Sequence, residues 1–358
     1  MTGPSDDAAQ KLLVDMVSTA SVSRNEGAVA ELLRERMAGL GFQSHVDAAG
    51  NVVGEIGSGP MTIALVGHID TVPGDLPVRV ENGVLHGRGS VDAKGPFACF
   101  VVAAARAAST CPGLRLRVIG CVEEEVASSA GARFLVDQAA PDALVIGEPS
   151  GWDGITLGYK GYLRAKIQLE GDNSHTAHDV RTVPAQAALL WSRLEAAAET
   201  FGAGRKRAFD RLLPALLDIR CEGDGCRQSA TLDLSLRLPP DLPPDQAQAW
   251  LEQLVPEANI CIYGGVPAWS GPRTSFLHRA LARGIRAEGG QPVWKEKTGT
   301  ADLNILAPAW NCPALAYGPG DAALDHRPDE HIVLEEFQAG IRVLEAALVS
   351  CATSQVVP

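Results

Sequence analysis

The sequence predicts an α/β fold with a twisted, largely parallel sheet flanked by helices, interrupted by an inserted α+β domain. Three observations predict it. Short apolar runs alternate with amphipathic stretches of helical length through the first part of the chain. Two later stretches, YLRAKIQLE (162–170) and TLDLSLRL (231–238), alternate strictly between polar and apolar residues. The first rhythm then resumes after Pro267. Apolar runs between helices read as strands buried on both faces, whereas strict alternation reads as an antiparallel sheet with one wet face. The expected division is a discontinuous α/β domain, 1–157 plus 269–358, carrying an inserted domain at 158–268. With 358 residues, 46% of them hydrophobic, the chain has material for two cores.

Taken in order, residues 7–40 read as amphipathic helix divided by a polar turn at Ser21 to Asn25. Strand Thr62–Val66, helix Phe97–Ala108, strand Leu114–Val122, helix Ala130–Gln138 and strand Ala143–Ile146 follow. In the inserted part, helices Pro184–Thr200 and Pro243–Val255 accompany the two alternating strands. The last section carries helices over Phe276–Glu288, Ala301–Ala307 and Glu335–Ser350.

Composition excludes several function classes. No apolar run approaches the ~18 residues of a membrane span, and the longest, Phe97 to Ala105, is half that. The acidic, small-residue start MTGPSDDAAQ does not read as a signal or transit peptide. Eight cysteines without disulfide-like spacing suggest reduced thiols and a cytoplasmic protein. A net charge of −12 argues against broad nucleic-acid binding.

The chemistry-bearing residues stand at strand exits. They are His68 and Asp70 in GHIDTVP, Asp92 in GRGSVDAKGP, Glu123–Glu125 in VEEEVASS, Glu148 in GEPS, and His326 in HRPDE. In an open α/β sheet such ends converge on one crevice. Histidines with carboxylates suit a divalent metal, zinc above all. Grouped acids without a cation would repel one another in a low-dielectric cleft. Each piece also has a plain reading: a strand exit for His68-x-Asp70, and a helix start for the triple acid. Those readings must all hold together to remove the metal.

The order GHIDTVP, GRGSVDAKGP, VEEEVASSAGA, GEPS, TGTADLN, HRPDE resembles the co-catalytic zinc family of acetylornithine deacetylase, succinyl-diaminopimelate desuccinylase, aminoacylase and glutamate carboxypeptidases. The resemblance covers essentially the whole chain. It implies a zinc-dependent exopeptidase-like catalytic domain and two zinc ions per subunit, with cobalt(II) able to substitute. His68 and Glu148 would hold one ion, Glu125 and His326 the other, and Asp92 would bridge them. Asp70 would orient His68, and Glu124 would be the general base. Counting back from Ser128 selects Glu124 and Glu125 within the triple acid, although Ala127 stands where the family usually has glycine. His175 resembles the inserted-domain histidine that reaches the partner subunit's site, which makes that domain a dimerisation lid and the protein a homodimer. Arg237 resembles an arginine that binds a substrate carboxylate, and CRQSATL leaves a second contact from Gln228 open. Thr298, Gly299 and Asn304 would line the pocket, with a helix cap an equal reading of Thr300.

The GRGSVDAKGP and EEE-x-x-SS variants most resemble the hydrolases that release lysine or ornithine from a small acidic amino-group carrier protein, in lysine or arginine biosynthesis. The alternatives are a deacetylase, desuccinylase or dipeptidase acting on a free small molecule, and an inactive relative serving as a binding protein. The stretch GRKRAFDR, with Arg205, Lys206, Arg207 and Arg211, is a candidate docking patch for the acidic carrier.

Overall fold

The polar turn near residue 21 separates two helices, α1 (Asp6–Ser18) and α2 (Gly27–Gly39), and the Ser5 hydroxyl caps α1 by accepting the Ala8 amide at 3.3 Å. The computed structural model describes residues 3–111, 113–175 and 177–353. In chain order there follow β1 (Gln43–Val46), β2 (Val52–Gly57), β3 (Met61–His68), β4 (Arg79–Glu81), β5 (Val84–His86), α3 (Lys94–Thr110), β6 (Leu114–Cys121), α4 (Ala130–Leu135), β7 (Ala143–Gly147) and β8 (Gly151–Tyr159). Next come β9 (Gly161–Asp172), α5 (Val183–Phe201), β10 (Leu213–Gly223), β11 (Arg227–Leu238), α6 (Pro244–Leu254), β12 (Asn259–Val266) and β13 (Trp269–Ser270). The chain closes with α7 (Phe276–Ala287), β14 (Val293–Lys297), α8 (Leu303–Trp310), β15 (Ala314–Gly318), β16 (His331–Val333) and α9 (Leu334–Thr353).

Two compact units result. The first comprises the chain up to Gly158, Gly271–Lys295, and the chain from Ala301; the second comprises Tyr159–Ser270 and Glu296–Thr300. The return of Glu296–Thr300 to the second unit differs from the simple insertion expected at 158–268. Hydrogen bonds explain it: the Lys160 amide donates to the Lys297 carbonyl at 3.1 Å, and the Thr300 hydroxyl donates to the Lys160 carbonyl at 2.8 Å.

The sheet of the first unit runs β1-β2-β6-β3-β7-β15-β8, and β14 also pairs with β8. Its centre is parallel, since β3 pairs in parallel with β6 and β7, and β15 with β7; β1, β2 and β8 are antiparallel margins. Central strands such as β3 and β7 are buried almost throughout, as a sheet covered on both faces demands. Helix α3 packs against this sheet and against α1 and α9. Its alanines allow close approach, while Phe97 and Phe100 fill the remaining space. Glycines at the strand ends make that space. Gly67 is level with Gly120 and Gly147 on its two neighbours, and a Cβ on Gly147 would meet the Phe100 ring at 3.0 Å. Emptying this core by Phe97→Ala would cost about 3–5 kcal/mol.

The second unit is an antiparallel sheet in the order β10-β11-β9-β12. Helices α5 and α6 bury Leu190, Leu194 and Leu251 against Leu163, Ile167, Leu232 and Leu234. Here the strict alternation of β9 and β11 is realised as one dry and one wet face. Among the described residues no helix is long and apolar enough to cross a membrane.

Candidate metal centre and active site

Strand register brings the predicted residues to one edge of the first unit's sheet. His68 ends β3 level with Cys121, the last residue of β6, and the acidic turn Glu123–Glu125 follows Cys121. Gly67 is level with Gly147, so Glu148 leaves β7 at the same height as His68. These are the carboxyl ends of parallel strands, where crevices form. Asp92 precedes α3, and His326 lies in the loop before β16.

The side chains converge. His68 Nδ1 lies 3.0 Å from the Asp70 backbone oxygen and 3.4 Å from Asp70 Oδ1. A carbonyl only accepts, so Nδ1 carries a hydrogen, and Nε2 is the nitrogen that faces Asp92 and would face a metal. His68 Nε2 is 3.0 Å from Asp92 Oδ1, and His326 Nε2 is 3.0 Å from Asp92 Oδ2. Thus one carboxylate spans two imidazoles, one oxygen to each. His326 Nε2 also lies 3.0 Å from the Glu125 carboxylate. Ligand atoms of His68, Asp92 and Glu125 all fall within 4.8 Å of one another. Two ligands of one tetrahedral zinc ion, each bonded at ~2.0–2.2 Å, stand roughly 3.3 Å apart. The donor set and its spacing therefore fit divalent metal.

Charge balance points the same way. Burial pushes the Glu124 carboxyl well above the usual carboxylate range despite the nearby His68, with Glu148, Asp302 and Glu125 adding repulsion. Burial also raises Glu125, with Asp92 adding to it and His326 opposing. His326, bonded to Asp92 and Glu125, is raised to about 10. Burial works against charge on His68, yet Asp70 and Asp92 hold its pKa well above normal. Without metal, protons on the imidazoles offset the buried carboxylates; a divalent cation displaces them.

Asp70 does more than aim His68. Its carboxylate is fully buried; Oδ1 accepts the Glu124 amide at 3.1 Å, and Oδ2 accepts the Glu125 amide at 3.1 Å and the Ser23 hydroxyl at 2.7 Å. The acidic run is accordingly a held turn and not the helix start that its composition allows. Sequence reasoning missed further supports. Glu330 is buried; its Oε1 accepts the amides of Val91 and Asp92 at 3.0 and 3.2 Å, and its Oε2 pairs with Arg88 at 2.7 Å. Arg88 in turn donates to the Arg327 carbonyl at 3.3 Å, next to His326. Asp302 is buried near His68 and Asp70, and burial raises its carboxyl to about 7. The only signals were that Glu330 lies inside HRPDEH and Asp302 inside TGTADLN.

Other expected residues have local partners. Asn304 is buried in the first unit, where its Oδ1 accepts the Ala301 amide at 3.2 Å at the start of α8. In the second unit, Arg237 donates to the Thr300 hydroxyl at 3.0 Å, and Thr298 and Gly299 lie just before it in the same segment. Gln228 accepts the Val183 amide at 3.1 Å and so supports the start of α5. His175 is exposed, and its Nδ1 accepts the Ala177 amide at 3.2 Å. The GRKRAFDR stretch is not a free cationic patch: Arg205 pairs with Asp241 at 2.8 Å, and Arg207 pairs with Asp210 at 2.6 Å and with Glu296. These acids offset the charge of Arg205 and Arg207, while Lys206 and Arg211 are exposed and stand outside these pairs.

The sequence model of Peptidase family M20/M25/M40 matches residues 64–350. The chain belongs to this family. Among its M20 relatives, LysW-lysine hydrolase of Deinococcus radiodurans is 47% identical over 352 residues, covering 96% of this chain and 97% of the relative. A putative LysW-lysine/LysW-ornithine hydrolase of Thermococcus kodakarensis is 38% identical, covering 95% and 91%. Among solved structures, the M20 metallo-carboxypeptidase Sso-CP2 of Sulfolobus solfataricus superposes with a TM-score of 0.81 at 17% identity, covering 96% of this chain and 99% of that one. The Bacillus subtilis YXEP protein, described as a dinuclear metal binding M20 peptidase, gives 0.68 at 13% identity, covering 96% and 98%. The M20 metallopeptidase fold expected from the motifs is therefore the fold observed, and the hydrolase class and metal dependence of the family apply to this chain.

Proposed function

We propose that this chain hydrolyses the amide joining lysine or ornithine to the carrier protein LysW, in lysine or arginine biosynthesis. The end-to-end identity of 47% with a LysW-lysine hydrolase carries this reading. The M20 site supplies the chemistry. In our assignment His68 and Glu148 would hold one zinc ion, Glu125 and His326 the other, and Asp92 would serve both, with cobalt(II) able to replace zinc. Bound there, such ions would supply the Lewis-acid chemistry that activates water and an amide carbonyl at neutral pH. Glu124 takes the proton of the attacking water on its carboxylate and returns it to the leaving amine. Asp70 keeps the His68 tautomer and holds the Glu124 and Glu125 amides. Arg237 receives a carboxylate of the substrate, and Thr298, Gly299 and Asn304 shape its pocket. The second unit pairs two subunits into a homodimer, across which His175 serves the partner's site, and the enzyme works in the cytoplasm.

The test is incubation of the zinc-loaded enzyme with LysW-lysine, LysW-ornithine and a panel of free N-acyl amino acids, followed by mass spectrometry. Release of the amino acid from LysW is expected, and chelation should abolish it. Efficient turnover of free acetylornithine with LysW left intact would overturn the substrate assignment.

A further inference from the structure

We propose that Glu26, in the turn between α1 and α2, is a positioning residue for the catalytic base. The inference rests on the reading of Glu124 as that base. Three successive amides of the acidic turn end on buried carboxylates. The Glu123 amide donates to Glu26 Oε1 at 3.1 Å, and the next two donate to the two oxygens of Asp70 at 3.1 Å each. Glu26 is itself 6% exposed, and the same Oε1 accepts the Arg24 amide at 2.8 Å.

The turn that carries Glu26 is pinned to the other catalytic strand end. The Ser21 hydroxyl donates to the Ile69 carbonyl at 2.7 Å, the Ser23 hydroxyl to Asp70 at 2.7 Å, and the Thr71 amide to the Ser21 carbonyl at 3.0 Å. One segment therefore ties the end of β3 to the turn after β6, and sets where Glu124 and Glu125 stand relative to His68.

The acidic turn needs this support. Glu123 has a φ of 59°, a left-handed conformation that a glutamate adopts only when its surroundings hold it there. Packing holds the turn on one side only, because a cleft of about 530 Å³ opens behind it, lined by Arg24, Glu26, Gly50, Val122 and Glu123. Hydrogen bonds complete the hold, including one from the Ser128 hydroxyl to the Glu123 carboxylate. Losing the one from Glu26 leaves the Glu123 amide without its acceptor, so that the Asp70 bonds alone hold the amides of Glu124 and Glu125 and the turn can shift about them. A displacement of ~1 Å in a catalytic group can cost about 10²-fold in rate.

The experiment compares wild type, Glu26→Ala, Glu26→Asp and Glu26→Gln in the zinc-loaded full chain. Hydrogen–deuterium exchange is read over residues 122–128, with residues 61–68 as an internal control. In Glu26→Ala, and in Glu26→Asp whose shorter side chain cannot reach, exchange in the turn should quicken about ten-fold or more while the control strand is unchanged. The kcat should fall ~10²-fold, with KM within about two-fold and zinc content retained. Glu26→Gln keeps an acceptor oxygen and should recover most of both. Unchanged exchange in the turn, or faster exchange with full kcat, would overturn the proposal. If Glu26→Ala does not fold, Glu26→Asp decides by the same two readouts. Exchange is read without substrate, and kcat on whichever amide the wild type cleaves. A wild type that leaves LysW-lysine intact thus contradicts the functional reading alone.

Discussion

Asp70→Asn tests the hub of the site with minimal change of shape. The wild-type carboxylate is fully buried and accepts from Ser23 Oγ, the Glu124 amide and the Glu125 amide, with His68 Nδ1 at 3.4 Å. Asparagine offers one acceptor oxygen in place of two. If that oxygen faces Glu125, the new NH₂ group faces the Glu124 amide and His68; if it is flipped, the NH₂ faces the Glu125 amide. Either way a buried backbone donor meets a donor, which costs about 1–3 kcal/mol. The lost negative charge behind His68 weakens the imidazole as a ligand, and losses of this kind run about 10–100-fold in metal affinity or activity. Zinc affinity measured by chelator competition should fall within that range. The metal-free melting temperature should fall by roughly 2–12 °C, from about 2–4 °C per kcal/mol. Wild-type zinc affinity together with wild-type kcat in Asp70→Asn would refute the reasoning.

The remaining predictions concern proton transfer, pH and assembly. Glu124→Gln should lose about 10²–10⁴-fold in kcat while keeping its zinc, and Glu125→Gln should lose zinc; exchanged phenotypes would show that the register of base and ligand is off by one. The metal-free protein should lose stability from about pH 6 to pH 10. His326 is raised to about 10 by Asp92 and Glu125, so its contribution is complete below the unfolded value of about 6.5 and lost as pH climbs through 10. Asp302, raised to about 7 by burial, and Glu124 and Glu125, also raised by burial, act with the same sign. Zinc should flatten the slope by displacing those protons, as thermal melts with and without metal will show; a metal-free melting temperature that climbs over this window would contradict the charge balance. His175→Ala should lose activity without losing zinc, and demonstrated heterodimers with Glu124→Gln should regain part of it if the histidine acts across the dimer.

Much of this arrangement was legible because polar residues interrupt apolar runs at the strand ends. His68, Glu125 and Glu148 stand out for that reason, and parallel register then brings His68 and Glu148 level, whereas Asp92 lies in the turn before α3. What the sequence concealed falls into two physical kinds. Strands β1, β2, β8, β10, β12 and β15 and the short strands are absent from the sequence reading; β10, for one, is an exposed edge with Pro214 and a bulge between Leu216 and Asp218, so neither period survives in its sequence. The second kind is side chains that bind backbone amides. Glu26 and Glu330 work through N–H groups of residues far along the chain, and such bonds leave no periodicity to read. The basic stretch at 205–211 shows the converse, since the partners of Arg205 and Arg207, Asp241 and Glu296, lie far away in sequence and offset part of its charge.

The central claim is that five residues of this chain hold two metal ions around one carboxylate. Crystals of the zinc-loaded protein, measured on both sides of the zinc absorption edge, test it most directly. Two anomalous peaks flanking Asp92 are expected, one shared with His68 and Glu148 and the other with Glu125 and His326. A single peak, or peaks away from Asp92, would contradict it.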